Sequence, residues 1–227
     1  MNVLVIAAHP DDEILGCGGT MAKLAQAGHD VYIAILGEGA TSRFNKREEA
    51  DAALVGHLRT NSHEAADVVG ARAVFLYGLP DNRFDSLDLL DVVKIVEELV
   101  HRTSPQVVYT HHAGDLNIDH GVLSRAVMTA TRPTNGSPVR EVYAFEVASS
   151  TEWAFQQVAP PFRPNTFVDI SSTLEAKIQA LMKYATEVQP FPHPRSREAL
   201  TSIAHRWGSV AGCNAAEAFE LIRAIRV

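Results

Sequence analysis

The sequence predicts an α/β fold in which a mostly parallel sheet carries helices on both faces. Two observations support this. Short apolar runs rich in β-branched residues alternate with longer helical stretches across short loops, the signature of repeated strand–helix units. Polar clusters follow directly on those runs, just beyond the carboxyl ends of strands, where open α/β sheets place their ligands.

The elements read in order as follows. Residues 3–7 form a buried strand that stops at the small pair Ala7-Ala8. Pro10 can open a helix, which is expected over 12–27 and ended by Gly28. Gly16, Gly18 and Gly19 weaken its helix propensity, so close backbone packing is the reason to expect for them. They do not give the G-x-G-x-x-G dinucleotide fingerprint. A second strand is expected over 31–36, a loop over 37–43, and a helix over 46–69 with a solvated charged face. A third strand is read at 73–76, a turn-rich stretch at 78–84, an amphipathic helix at 87–103 and a fourth strand at 107–110. A polar cluster fills 111–120, followed by a helix at 122–131 and a strand at 139–145. The pattern then loosens. A Pro-rich loop at 159–165 precedes a strand at 167–170, a helix at 172–185 and a stiff extended segment at 190–196. Two closing helices are expected at 196–206 and 215–225. No repeat, low-complexity tract or separating linker appears, so residues 1–227 are read as a single domain.

Bulk composition narrows the function classes. With 227 residues and 46% hydrophobic content, the chain can bury a full core. A net charge of −7 argues against nucleic-acid binding, which needs a basic footprint. Two cysteines, Cys17 and Cys213, imply no disulfide framework and fit a reduced compartment; Cys17 reads as a small buried residue rather than a ligand. The start lacks a basic region before its apolar run, and His9 and two acids break that run early, unlike a signal peptide. No apolar stretch of about 18 residues could span a bilayer. A cytoplasmic protein is expected.

The chemistry concentrates in two places. His9-Pro10-Asp11-Asp12-Glu13 follows the first strand, and His111-His112-Ala113-Gly114-Asp115-Leu116-Asn117-Ile118-Asp119-His120 follows the fourth. If both strands share one parallel sheet, both clusters open at the same edge. His9, Asp12 and His120 then form a two-imidazole, one-carboxylate set suited to catalytic zinc with a position left open; iron(II) suits the same donors. Zinc would lower the pKa of a water and polarise a carbonyl oxygen. Asp11, between two ligands, could take the proton as general base. Such a site suits amide or ester hydrolysis. Blander roles compete: Asp12 as an acid at a helix N-terminus, Asp11 or Asp119 as helix caps, Asp115 and Asn117 as turn residues. His111 and His112 point opposite ways if extended, so one of the two is expected to face the site, and the spacing does not say which. Arg43 is either a loop charge or a substrate contact. Asn82 and Arg83, on another loop at that edge, could bind sugar hydroxyls or a phosphate. Glu146, Trp153, His193 and Arg195 are read as loop packing in preference to a sugar pocket.

These paired motifs resemble those of the PIG-L or LmbE-like family of zinc-dependent N-acetylglucosaminyl deacetylases, and the resemblance runs through most of the chain in order. It implies a Rossmann-like fold and removal of acetyl from an N-acetylated sugar, such as a GlcNAc-type conjugate or nucleotide sugar. It also implies His9, Asp12 and His120 as metal ligands, Asp11 as general base and Asp119 as an acid that orients its neighbours. Family members often assemble as trimers or hexamers. The chain departs from the pattern at Asn117, where many members carry a His placed to stabilise the oxyanion. That task would fall to His111, His112 or the amide of Asn117. Two alternatives stay open: a metal-bearing sugar- or nucleotide-binding module without catalysis, which the Asn117 departure keeps open and the intact Asp11 argues against, and a metal-dependent hydrolase of a non-sugar amide or ester.

Overall fold

The computed structural model describes residues 1–44, 49, 52–134, 136–155, 157 and 159–226. Its elements are β1 (Asn2–Ala7), α1 (Asp12–Gln26), β2 (Asp30–Gly37), α2 (Ala52–Val69), β3 (Ala73–Leu79), α3 (Leu89–Thr103), β4 (Val107–His111), α4 (Ile118–Ala130), β5 (Glu141–Phe145), β6 (Thr166–Asp169), α5 (Leu174–Leu181), α6 (Arg197–Ala211) and β7 (Ala216–Ala224). Seven strands form one sheet in the order β3-β2-β1-β4-β5-β7-β6. The first five are parallel, and β7 runs antiparallel to both β5 and β6.

Period-two side-chain alternation in β1 builds both layers. Val3 and Val5 face one core with Ile14 and Met21 of α1, Ala65 and Val69 of α2, and Ile178 and Leu181 of α5. Leu4 and Ile6 face the other with Val92, Val96 and Leu99 of α3 and Leu123 and Val127 of α4. Each such fully buried aliphatic chain contributes roughly 1.5–3 kcal/mol. The early glycines of α1 have their reason in these layers: a Cβ on Gly16 would lie 2.2 Å from the Phe145 ring, and one on Gly19 would lie 2.8 Å from Ile170.

The predicted α/β class is the observed one, with differences at the edges. The expected start of the second helix, at 46–48 and 50–51, lies outside the described residues; α2 is described from Ala52. Helix α4 begins at Ile118 rather than residue 122, because the Asn117 side chain accepts the Asp119 N–H at 2.9 Å and caps it. His120 therefore sits in its first turn. The larger correction is at the C-terminus, where a helix is expected over 215–225 and the structure has strand β7. Ala and Glu favour a helix locally, but this segment fills the gap between β5 and β6 and ladders to both. Its Glu217 is buried and accepts from the Gly19 and Thr20 amides at 3.0 and 2.7 Å and from Lys177 Nζ at 2.6 Å. Among the described residues no helix is long and apolar enough to cross a membrane.

Candidate functional site

β1 and β4 are neighbours in the sheet and run parallel, so the clusters that follow them meet at one edge. His9 leaves the end of β1 and Asp12 opens α1. Their approach is tight: Asp12 Oδ2 accepts the His9 backbone N–H at 2.9 Å and lies 3.2 Å from His9 Nδ1. From α4, His120 Nε2 comes within 3.2 Å of the same oxygen. The outer nitrogen of each ring is held by a further carboxylate. His9 Nε2 lies 2.9 Å from Asp119 Oδ2, and His120 Nδ1 lies 2.7 Å from Asp115 Oδ2. Carboxylate–imidazole pairs of this kind fix the tautomer and ring orientation of metal-binding histidines.

Among the described residues three groupings could hold a cation: His9, Asp12 and His120; His111, Asp115 and His120; and His9, Asp81 and Asp119. Donor chemistry favours the first. Asp119 already accepts the Asn82 and Phe84 amides at 2.6 and 2.8 Å, and Asp81 holds the Ser42 amide and hydroxyl at 3.1 and 2.8 Å. In the second grouping, His111 Nε2 accepts the Ala8 N–H at 2.8 Å, which consumes its lone pair. In the first, His120 Nε2 is buried, lies 3.2 Å from Asp12 Oδ2 and makes no hydrogen bond to a described residue.

Electrostatics agree with that choice. Burial works to lower the His9 imidazole, but hydrogen bonds to Asp119 and Asp12 outweigh it and carry it up to about 10. His120 is likewise lowered by burial and raised further by Asp12 and Asp115, to about 9. Burial works to raise Asp12, yet the surrounding imidazoles, His120 first, hold it well below the usual carboxylate range. The two imidazoles are ringed by the carboxylates of Asp12, Asp81, Asp115 and Asp119, and that negative potential suits a divalent ion. His111 behaves differently: burial and the adjacent His120 charge keep it well below its ordinary value. Its ring stacks on His120 with centroids 3.9 Å apart.

Asp11 occupies an unusual backbone position, φ +99°, at the mouth of α1. Its side chain is buried, yet it lines a cleft of about 150 Å³ together with the predicted His9, Arg43, Asn82 and Asn117. The cleft also takes Asp81, Glu187 and Arg195, which sequence reasoning did not place there. Arg195, expected as loop packing, instead donates from NH1 to Asp11 Oδ2 at 2.8 Å. Burial pushes the Asp11 carboxyl up, Arg195 pulls it back, and Asp12, Glu187 and Glu13 push it further up. Arg43 pairs with Glu187. Arg83 is exposed and does not line this cleft.

The structure brings His111, and not His112, against Asp12, at 3.7 Å. His112 points to the opposite face of β4, as alternation requires. Its Nδ1 meets Glu220 Oε2 at 2.7 Å and its Nε2 meets the Pro160 carbonyl at 3.0 Å. Burial works to lower His112, and Glu220 and the carbonyl raise it above its ordinary value; Glu220, raised by burial, is lowered overall by His112. The pair therefore stabilises the fold above the Glu220 titration and below that of His112, and its contribution fades as pH rises through the folded His112 pKa. Glu220→Gln is expected to cost about 1 kcal/mol at pH 6 and less at pH 9, measured by denaturant unfolding at both pH values. Equal losses at both would refute the assignment. Of the other loop residues, Glu146 accepts from Trp207 Nε1 and Trp153 packs edge-on against His193 at 5.5 Å, and neither lines this cleft.

Asp115 was legible only as a turn residue, although its five-residue spacing to His120 fits the pair now seen. Asp81 and Glu187 left no local signal and Arg195 read as loop packing, since each meets its partner through tertiary placement.

Comparison with known proteins follows the same lines. Residues 4–131 match the model of the family described as PIG-L, GlcNAc-PI de-N-acetylase. The uncharacterized deacetylase YaiS of Escherichia coli is 28% identical over 193 residues, covering 81% of this chain and 90% of that one. The diacetylchitobiose deacetylase of Thermococcus kodakarensis is 26% identical over 245 residues, covering 99% and 84%. Among solved structures, GalB, the 4-carboxy-2-hydroxymuconate hydratase of Pseudomonas putida, superposes with a TM-score of 0.79 at 23% identity, covering 100% of this chain and 97% of that one. That likeness carries the fold alone. The matched region includes both motifs and every residue of the His9, Asp12, His120 and Asp11 group, and the chain belongs to the PIG-L family of de-N-acetylases.

Proposed function

We propose that the chain is a divalent-metal-dependent N-deacetylase that releases acetate from an N-acetylated sugar conjugate. One observation supports this most: a ring nitrogen of His9, a ring nitrogen of His120 and an oxygen of Asp12 converge within 4.8 Å of one another, beside a cleft that also contains Asp11. His9, Asp12 and His120 would hold zinc(II), or iron(II), which suits the same donors. Bound there, the metal supplies Lewis acidity, lowering the pKa of water and polarising a carbonyl oxygen.

The chain's own residues do the rest. Asp11 takes a proton from the attacking water as the water oxygen bonds to the acetyl carbon. The C–N bond then breaks, and Asp11 returns that proton to the departing nitrogen, leaving acetate and a free amine. Of the three candidates to meet the oxygen charge, His112 is committed to Glu220 and Pro160, and His111, which accepts the Ala8 amide at Nε2, does not line the cleft. Asn117 caps α4 through Oδ1 and lines the cleft. Its Nδ2 amide makes no hydrogen bond to a described residue, so it is the donor we assign to that oxygen. Arg43 and Asn82 contact the sugar. Asp119 and Asp115 orient the ligand imidazoles. We assign residues 1–227 to one catalytic domain, with self-association into trimers or hexamers read by sedimentation.

The test is acetate release from a panel of N-acetylated sugars by metal-loaded protein. Chelation should abolish release and zinc(II) should restore it. A parallel assay of hydration of an unsaturated carboxylic acid is run because a hydratase shares this fold. Hydration without acetate from any sugar would overturn the reading.

A further inference from the structure

We propose that Arg195 is the positioning residue of Asp11: its guanidinium clamps one carboxylate oxygen and leaves the other to take the proton. The inference rests on the role of Asp11 given above. Arg195 stands 184 residues downstream of Asp11 and donates from NH1 to Asp11 Oδ2 at 2.8 Å. A second guanidinium nitrogen, Nε, donates to Ser149 Oγ at 2.9 Å. Two bonds from one planar group fix that group's orientation as well as its place. The other oxygen of Asp11, Oδ1, makes no hydrogen bond to a described residue.

Backbone geometry gives an independent reason. Both partners of the guanidinium, Asp11 at φ +99° and Ser149 at φ +74°, are non-glycine residues in the left-handed region. Such conformations persist where surrounding contacts over-determine them, and they cluster at functional sites. Here the side chain joining the two is Arg195. A carboxylate on its own turns freely about its last torsion, which is broad and roughly two-fold. The charge-assisted bond removes that freedom.

The same contacts argue against Arg195 as a substrate anchor. Its NH1 also lies 3.6 Å from Glu187 Oε2, and Glu187 pairs in turn with Arg43. Arg43, Glu187, Arg195 and Asp11 form a row of alternating charge. Within it the Arg43 side chain is 48% exposed and the Arg195 side chain 23%. Arg43 is the arginine placed to meet a ligand; Arg195 is committed inward.

The experiment uses the full metal-loaded chain with Arg195→Ala, Arg195→Lys and Asp11→Asn, each alone, and the Ala and Asn changes combined. Arg195→Ala should lower kcat by about 10²-fold, with KM and metal content near wild type. Millimolar guanidinium should restore part of the rate, and Arg195→Lys, which keeps the charge without the fork, should fall between. The double variant should lose little more than Asp11→Asn alone. A raised KM with unchanged kcat would overturn the proposal in favour of substrate binding. Loss of rate and melting temperature together, with no rescue by Lys or guanidinium, would overturn it in favour of a purely structural role. If wild type releases acetate and Arg195→Ala does so equally well, the proposal alone fails. If wild type releases none from any sugar, the deacetylase reading fails and takes this proposal with it.

Discussion

Asp11→Asn is expected to cut kcat for acetate release by about 10²–10⁴-fold while leaving metal content unchanged. The substitution is chosen for what it preserves. Asp11 sits at φ +99° with a side chain 1% exposed, so a residue that resists positive φ would add strain of its own. Asn tolerates that conformation, matches the side chain in size, and still offers Arg195 an oxygen. What it cannot do is accept a proton. The ligand group should be unaffected, because Asp12, His9 and His120 contact one another and not the Asp11 carboxylate. Steady-state kinetics alongside metal analysis check both halves. A variant that keeps its metal and turns over within tenfold of wild type would remove Asp11 as the base. A variant that loses its metal would show that Asp11 helps to hold the ion.

Which of these groups could be read in advance depended on how far each partner lay along the chain. Strands β1, β2 and β4 announce themselves because a strand covered on both faces is written as an unbroken apolar run. The two motifs are legible for the same reason: each is continuous and sits directly after such a run. Strand β7 was not legible, because Ala216, Glu217, Ala218 and Glu220 carry helix-forming side chains and the force that extends them comes from β5 and β6. Glu217 illustrates this. Its burial is tolerable only because α1 turns two amides towards it and α5 supplies Lys177, and neither partner is near in sequence. The same holds within the site. The His111 and His112 alternation said that the rings diverge, and only the neighbouring strands say which diverges towards Asp12. Arg195 reads locally as one more charge in a Pro-rich segment, yet its bonds to Ser149 and Asp11 turn it inward, beside Arg43 in the wall of the cleft.

Asp119→Ala is expected to weaken metal affinity by about 10–100-fold and to destabilise the fold by roughly 3–5 kcal/mol. Both effects have one origin. The Asp119 side chain is fully buried and accepts from three donors on two other segments: His9 Nε2 at 2.9 Å, the Asn82 amide at 2.6 Å and the Phe84 amide at 2.8 Å. Removing it leaves three donors without an acceptor, the His9 and Phe84 ones buried and the Asn82 one part-buried, each buried donor costing about 1–3 kcal/mol less whatever water can enter. It also frees the His9 ring to rotate away from Asp12. Asp119→Asn separates the two effects. It keeps one acceptor oxygen for a loop amide, so much of the stability should return, but its NH₂ cannot accept the His9 proton and the loss of metal affinity should remain. Competition against a chelator of known affinity measures the first effect, and denaturant unfolding of the metal-free proteins measures the second. Wild-type metal affinity in Asp119→Ala would mean that Asp119 builds the loop and does nothing for the ion. Because the 81–84 loop and the first motif are tied to this one carboxylate, the wall of the cleft and the metal group are expected to fail together in Asp119→Ala and to come apart in Asp119→Asn.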